Sequence, residues 1–221
     1  MRALNQSGPR LRREIASPPS LSPPEFEQAM QAGALVVDTR PQADFMAAHI
    51  PGALSNTFRD AFATWLGWLA PAGTPLLFVL GDEPLDRVID ECLLVAYERF
   101  VGVLAGGMAA WENAGLPVGR AALATAPEAS QLLLDGAFVL DVREANEYAE
   151  GHIPGATHIP LGQLKRRLEE LPHDRPIVTS CGHGERSATA LSLIEAYGLR
   201  PLTNLDGGID AWRDAGLEVE R

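Results

Sequence analysis

Gly136-Ala137-Phe138-Val139-Leu140-Asp141-Val142-Arg143 carries a short apolar run that closes on an acid and a base. The same pattern stands earlier in the chain as Gly33-Ala34-Leu35-Val36-Val37-Asp38-Thr39-Arg40, offset by 103 residues. His49-Ile50-Pro51-Gly52-Ala53 recurs unchanged as His152-Ile153-Pro154-Gly155-Ala156 at the same offset. Near the end of each half, Gly106-Gly107 with Trp111 matches Gly207-Gly208 with Trp212, and Ala114-Gly115-Leu116 is echoed by Ala215-Gly216-Leu217. A period of this length is too long for a solenoid, so each copy is a whole domain.

Outward from that stretch, both copies show the same elements. Ser22-Pro23-Pro24-Glu25 and Thr125-Ala126-Pro127-Glu128 are helix starts, with a capping hydroxyl, an early proline and a glutamate three residues on. Short apolar runs follow at 35–37, 76–80 and 101–104, then at 138–140, 177–179 and 202–205. Runs of this kind between helical segments predict buried strands of a largely parallel sheet. The expected fold is α/β: two tandem domains, each a mostly parallel sheet flanked by helices. The expected boundaries are an irregular segment at 1–20, a first domain at 21–118, a linker at 119–126 and a second domain at 127–221.

Composition narrows the function classes. The net charge of −11 argues against nucleic acid, which needs a basic surface, but leaves room for a small anion in a local positive pocket. No apolar run approaches the ~20 residues of a membrane span, and the N-terminus has no apolar signal region. Two cysteines are too few for a disulfide framework, so a reducing, cytoplasmic compartment is expected. The five histidines are scattered, no C-x-x-C pair occurs and no P-loop or G-x-G-x-x-G precedes a helix. Neither a metal nor a nucleotide cofactor is expected.

The chemistry concentrates in Cys181-Gly182-His183-Gly184-Glu185-Arg186-Ser187, between the strand at 176–180 and a helical stretch at 188–197. Two glycines let the backbone turn with its N–H groups inward, and the helix N-terminus behind adds partial positive charge. Arg186 adds a full charge. These features favour a thiolate over a thiol, and the thiolate is the nucleophile.

With Asp141-Val142-Arg143-Glu144, His152-Ile153-Pro154-Gly155-Ala156 and Asp206-Gly207-Gly208 with Trp212, this loop resembles that of tandem rhodaneses, the sulfurtransferase family, over about residues 20–221. The resemblance implies a thiosulfate-sulfurtransferase-like enzyme whose Cys181 carries sulfane sulfur as a persulfide. It implies Arg186 as the partner of an anionic donor and N–H groups from Gly182, His183, Gly184, Glu185 and Ser187 around the terminal sulfur. The implied donor is thiosulfate or a low-molecular-weight persulfide, and the acceptor a thiol or cyanide. Phosphatases sharing the fold have a loop one residue longer, so the shorter loop here suits a single sulfur atom. Met1–Pro9 and Trp65-Leu66-Gly67-Trp68 resemble parts of fusions with a metallo-β-lactamase-fold domain. That likeness implies a persulfide dioxygenase or hydrolase as partner; the alternative to an enzyme, favoured by the degenerate first copy, is a non-turnover persulfide-carrying or interaction module serving it. The chain is then a C-terminal part of such a fusion or a stand-alone descendant.

In the first copy Leu80 stands opposite Cys181 and Leu85 opposite Arg186, in an acid-rich loop, Gly81-Asp82-Glu83-Pro84. This domain is expected to be non-catalytic. His49, His152, Asp38, Asp141 and Arg40 occur in both copies and are expected to maintain the fold. Arg143 either does the same or lines the site as a substrate-binding residue. His183 either tunes the thiolate, meets the acceptor or faces water. Cys92 and the four tryptophans are expected in core or interface positions, and Glu144, Glu147 and Glu150 on a solvated helix face.

Overall fold

The computed structural model describes residues 12–221, so the Met1–Pro9 likeness lies outside the described residues. The first repeat runs Ser20–Leu21 (β1), Pro23–Gln31 (α1), Leu35–Asp38 (β2), Gln42–Ala47 (α2) and Leu54–Ser55 (β3). It continues with Phe62–Leu69 (α3), Leu76–Val79 (β4), Leu85–Leu94 (α4), Phe100–Leu104 (β5) and Gly107–Asn113 (α5). The second runs Ala122–Ala124 (β6), Ala126–Leu134 (α6), Phe138–Asp141 (β7), Ala145–Ala149 (α7) and Thr157–His158 (β8). Leu161–Leu164 (α8), Ile177–Ser180 (β9), Glu185–Ala196 (α9), Leu202–Leu205 (β10) and Gly208–Asp214 (α10) complete it.

Each repeat forms a five-stranded sheet in the same order, β1-β5-β4-β2-β3 and β6-β10-β9-β7-β8. Pairing is parallel, with Ile177 of β9 facing Phe138 on one side and Leu202 on the other. The middle strands are buried on both faces, which is why they read as continuous apolar runs. Both helix starts are capping boxes: the backbone N–H of Ser22 donates to Glu25 at 2.9 Å, and that of Thr125 to Glu128 at 2.8 Å.

Two expectations change. Ala122–Ala124, inside the stretch expected as linker, is the edge strand β6 in register with Thr203–Leu205. Three residues are too few to show a period, and their partner is distant in sequence. Trp68 is 60% exposed, packed edge-on to Trp65, rather than a core residue. Trp111 and Trp212 are buried, and so is Cys92, whose thiol burial pushes well above the ordinary range.

The chain divides into two compact units that do not coincide with the repeats. One takes in the described residues to Thr39 with Phe58–Leu116; the other joins Arg40–Thr57 to Pro117–Arg221. The first is built on Val37, Phe62, Leu66, Phe78 and Val88, the second on Ala129, Val139, Val178, Leu205 and Trp212. A stretch of the first repeat, comprising α2, the His-Ile-Pro-Gly turn and β3, therefore belongs to the unit of the second.

Buried polar contacts fix that stretch. His49 Nδ1 lies 2.8 Å from the Phe45 carbonyl and Nε2 2.7 Å from Glu195 of α9. A carbonyl only accepts, so Nδ1 carries hydrogen and one further proton sits between Nε2 and the carboxylate. The Ser55 N–H donates to Ser192 Oγ at 3.1 Å. His152 repeats the local half of this pattern, with Nδ1 at 3.1 Å from the Tyr148 carbonyl. Burial alone would raise the Glu195 carboxyl, but His49 and Arg200, the latter at 2.6 Å, hold it below the usual range.

Among the described residues no helix is long and apolar enough to cross a membrane, and no group of three His, Cys, Asp or Glu is placed to hold a metal. Removing one partner of a buried pair leaves the other uncompensated. Glu195→Ala is expected to cost about 3 kcal/mol in urea unfolding at neutral pH. Because the folded carboxyl is lowered, this contribution is present at neutral pH and fades as pH falls through the folded value.

Candidate active site

The loop after β9 lies at the carboxyl end of a central strand of a parallel sheet, where open α/β sheets place their sites. Cys181 follows the fully buried β9 and is itself 1% exposed. The helix expected from 188 begins at Glu185, three residues earlier, so Arg186 and Ser187 lie in its first turn. Gly184 precedes it at φ 108°, a conformation that favours glycine, and donates its N–H to Cys181 Sγ at 3.1 Å. Ser187 Oγ is 3.4 Å from the same sulfur and 2.9 Å from the Gly184 carbonyl, so its one hydrogen serves either acceptor.

Beneath the loop, α10 takes up the carbonyls. The Ile209 N–H donates to the Cys181 carbonyl at 2.8 Å and the Asp210 N–H to that of Gly182 at 3.3 Å. In a trans peptide the next N–H points opposite its carbonyl, so the Gly182 and His183 amides face away from α10. Gly208 makes this approach possible. Its φ is 57°, and a Cβ there would overlap the Cys181 carbonyl oxygen and lie 2.6 Å from that of Gly182.

Arg186 is held end-on by Glu147, with Nη1 and Nη2 at 2.7 and 2.6 Å from the two carboxylate oxygens. This fork holds the Glu147 carboxyl down to about 2 and raises the guanidinium further above its ordinary range. The expectation of a solvated Glu144–Glu147–Glu150 face is corrected at Glu147. The sequence shows the spacing of α7 but not the distant arginine to which it points. Arg186 Nη2 also lies 3.2 Å from where a Cβ on Gly182 would be, so the guanidinium stands against the loop.

Arg143 is buried, forked onto Asp141 at 2.7–3.0 Å, and donates to the carbonyls of Glu147 at 3.0 Å and Gly151 at 2.8 Å. These contacts anchor α7, and through it Glu147; none of them reaches the Cys181 loop. His183 stands at the rim, 73% exposed in its side chain, with Nδ1 3.0 Å from Asp210. Glu185 opens α9 beside it. The structure thus gathers Cys181, Gly182, His183, Gly184, Glu185, Arg186 and Ser187 in one cradle and sets Arg143 behind it.

Sequence reasoning missed Gln42, Asn204 and Glu147. Asn204 donates to the Gly184 carbonyl at 3.1 Å and to Gln42 Oε1 at 3.3 Å. Only the adjacency of Asn204 to Asp206-Gly207-Gly208 hinted at its place.

The corresponding loop of the first repeat is filled from within. The Glu83 carboxylate accepts from the Gly81 N–H at 3.2 Å and from Thr39 Oγ1. Gly208→Ala, by contrast, is expected to break the second repeat's loop by forcing backbone apart. The expected cost is about 2 kcal/mol or more in thermal unfolding, with loss of whatever reactivity Cys181 has toward thiol reagents.

Comparison with known proteins places this geometry. A model of the rhodanese-like domain matches residues 22–114 and again 125–215. Uncharacterized protein YqhL of Bacillus subtilis is 42% identical over 76 residues, 34% of this chain and 60% of that protein. The HTH-type transcriptional regulator Rv0324 of Mycobacterium tuberculosis is 35% identical over 153 residues, 67% of this chain and 64% of that protein. Thiosulfate sulfurtransferase GlpE of Ectopseudomonas mendocina is 34% identical over 86 residues, 39% of this chain and 79% of that protein. The chain spans about three-fifths of the length of the first two relatives. With two matches in tandem, each taking in four of the five strands of one parallel sheet, the chain belongs to the rhodanese-like domain family.

Proposed function

We propose that the second repeat is a sulfurtransferase that moves sulfane sulfur through a persulfide on Cys181. The observation that carries this reading is the Gly184 N–H aimed at Sγ from 3.1 Å, in a loop whose carbonyls are drawn off to α10. Donors fixed around a sulfur stabilise negative charge there without reorganising during reaction. Membership of a family that includes proteins named thiosulfate sulfurtransferase supports it.

In the first half-reaction the Cys181 thiolate attacks the outer sulfur of thiosulfate. The Sγ–S bond forms, the S–S bond of the donor breaks and sulfite leaves with the electron pair. With an organic persulfide the leaving group is the thiolate. In the second half, an acceptor thiolate or cyanide attacks the outer sulfur of the persulfide, and the Cys181 thiolate is regenerated. Charge and atoms balance in both steps without a cofactor. The amides of Gly182, His183 and Gly184, with Ser187 Oγ, surround the carried sulfur. Arg186, steadied by Glu147, holds the anionic end of the donor, and His183 and Glu185 form the rim through which the acceptor comes. Arg143 acts through α7. The first repeat, whose cradle is filled by Glu83, contributes no nucleophile. Both cysteines are free, which suits a reducing, cytoplasmic setting.

A second reading is favoured by the burial of Cys181 to 1% exposure and the engagement of Arg186 by Glu147. On it, the chain carries persulfide for a metallo-β-lactamase-fold dioxygenase or hydrolase and turns over negligibly alone. A turnover count with and without such a partner separates the two.

Intact mass after incubation with thiosulfate, and separately with glutathione persulfide, is expected to show a gain of one sulfur that cyanide removes. Cys181→Ser is expected to show none; a full gain in that variant sinks the assignment. Arg186→Ala is expected to raise the half-saturating thiosulfate concentration roughly tenfold, as loss of one charge-assisted contact does, with a smaller change in limiting rate.

A further inference from the structure

Gln42 belongs to the first repeat by sequence and to the second unit by packing. It opens α2, whose Phe45 and Met46 are buried and whose end is pinned by His49 on Glu195. Its Oε1 accepts from Asn204 Nδ2 at 3.3 Å, and its Nε2 donates to Asp206 Oδ1 at 3.3 Å. Asn204 in turn accepts from Thr179 Oγ1 at 3.2 Å and donates to the Gly184 carbonyl at 3.1 Å. The Gln42 amide also presses on Gly184 itself: a Cβ there would lie 2.5 Å from Nε2.

Gly184 is the joint on which the cradle turns. It is the residue whose N–H meets Sγ, and with no side chain it has the widest range of backbone states to abandon when the loop orders. A hydrogen bond to sulfur weakens steeply as its angle opens, so whatever limits the swing of Gly184 sets how well the sulfur anion is held. Asn204 fixes its carbonyl, and Gln42 closes the side where a side chain would otherwise stand. Gln42 also ties that contact to Asp206, at the head of the turn that brings Gly208 under Cys181.

We propose that Gln42 is a positioning residue for sulfur transfer at Cys181, supplied by the first repeat to complete the cradle of the second. This rests on the sulfurtransferase reading above. It gives the first repeat a task at the reacting loop although it has no nucleophile, and it makes the second repeat on its own an incomplete catalyst.

The test is the rate of persulfide loading as a function of thiosulfate or glutathione persulfide concentration, in the full chain and in two variants. Gln42→Ala removes both hydrogen bonds and the bulk against Gly184. Gln42→Met keeps similar bulk and removes the hydrogen bonds. Gln42→Ala is expected to lower the limiting loading rate about tenfold, the scale on which small misplacement of a reacting group acts, and Gln42→Met to lower it less. In both, the half-saturating donor concentration stays within about twofold and the unfolding temperature is unchanged; should Gln42→Ala fail to fold, Gln42→Met decides. Limiting rates equal to wild type in the folded variants overturn the proposal. So does a change confined to half-saturation, which would make Gln42 a donor contact. A wild-type chain that gains no sulfur from either donor overturns the sulfurtransferase reading and this inference with it.

Discussion

A sulfur anion kept out of water must find its hydrogen bonds in the protein, because an uncompensated buried charge is prohibitive. In the Cys181 loop, the N–H groups that could supply such bonds depend on two peptide carbonyls being pulled the other way. The amides of Ile209 and Asp210 accept that task, and the N–H groups of the Cys181 loop are turned to the opposite side as a result. The sheet order makes it possible: β10 lies beside β9, so the helix that follows β10 starts under the loop that follows β9. Contact this close leaves no room for a side chain at Gly208. The remaining parts of the site are arranged around that backbone-to-backbone seam.

The charged groups are layered behind it. A lone arginine beside a thiol would sample many rotamers, and ordering it would draw on the energy gained from binding. Glu147 removes that freedom with a fork of two short bonds, and Arg143 fixes the backbone carbonyl of the same glutamate. The arrangement trades net positive charge at the rim for a guanidinium of defined direction. It also explains why an acid that looks like surface decoration in the sequence lies only one-third exposed.

Features set by local sequence were legible before any coordinates. The two capping boxes, the buried strands and the strand–loop–helix around Cys181 each follow from residues close together in the chain. The pairing of the repeats set Leu80 opposite Cys181. What stayed hidden needed partners far apart. Glu147 meets Arg186 across 39 residues and Gln42 meets Asn204 across 162, and no periodicity encodes either. β6 was missed because three residues at a sheet edge are too few to show a period and so resemble linker. The transfer of Arg40–Thr57 to the second unit was hidden for a different reason. The repeat itself suggested that each copy closes on its own elements, whereas His49 and Ser55 bond to α9.

Glu83 gives the loop of the first repeat an occupant of its own. Its carboxylate occupies the Gly81 amide from within the same loop, an intramolecular contact that a dissolved anion would have to displace. A loop closed on its own carboxylate has fewer N–H groups to offer an outside anion. A cysteine placed at Leu80 would meet a carboxylate where the Cys181 loop offers N–H groups. The two loops, although they occupy equivalent places in the two sheets, are therefore not interchangeable by a single substitution.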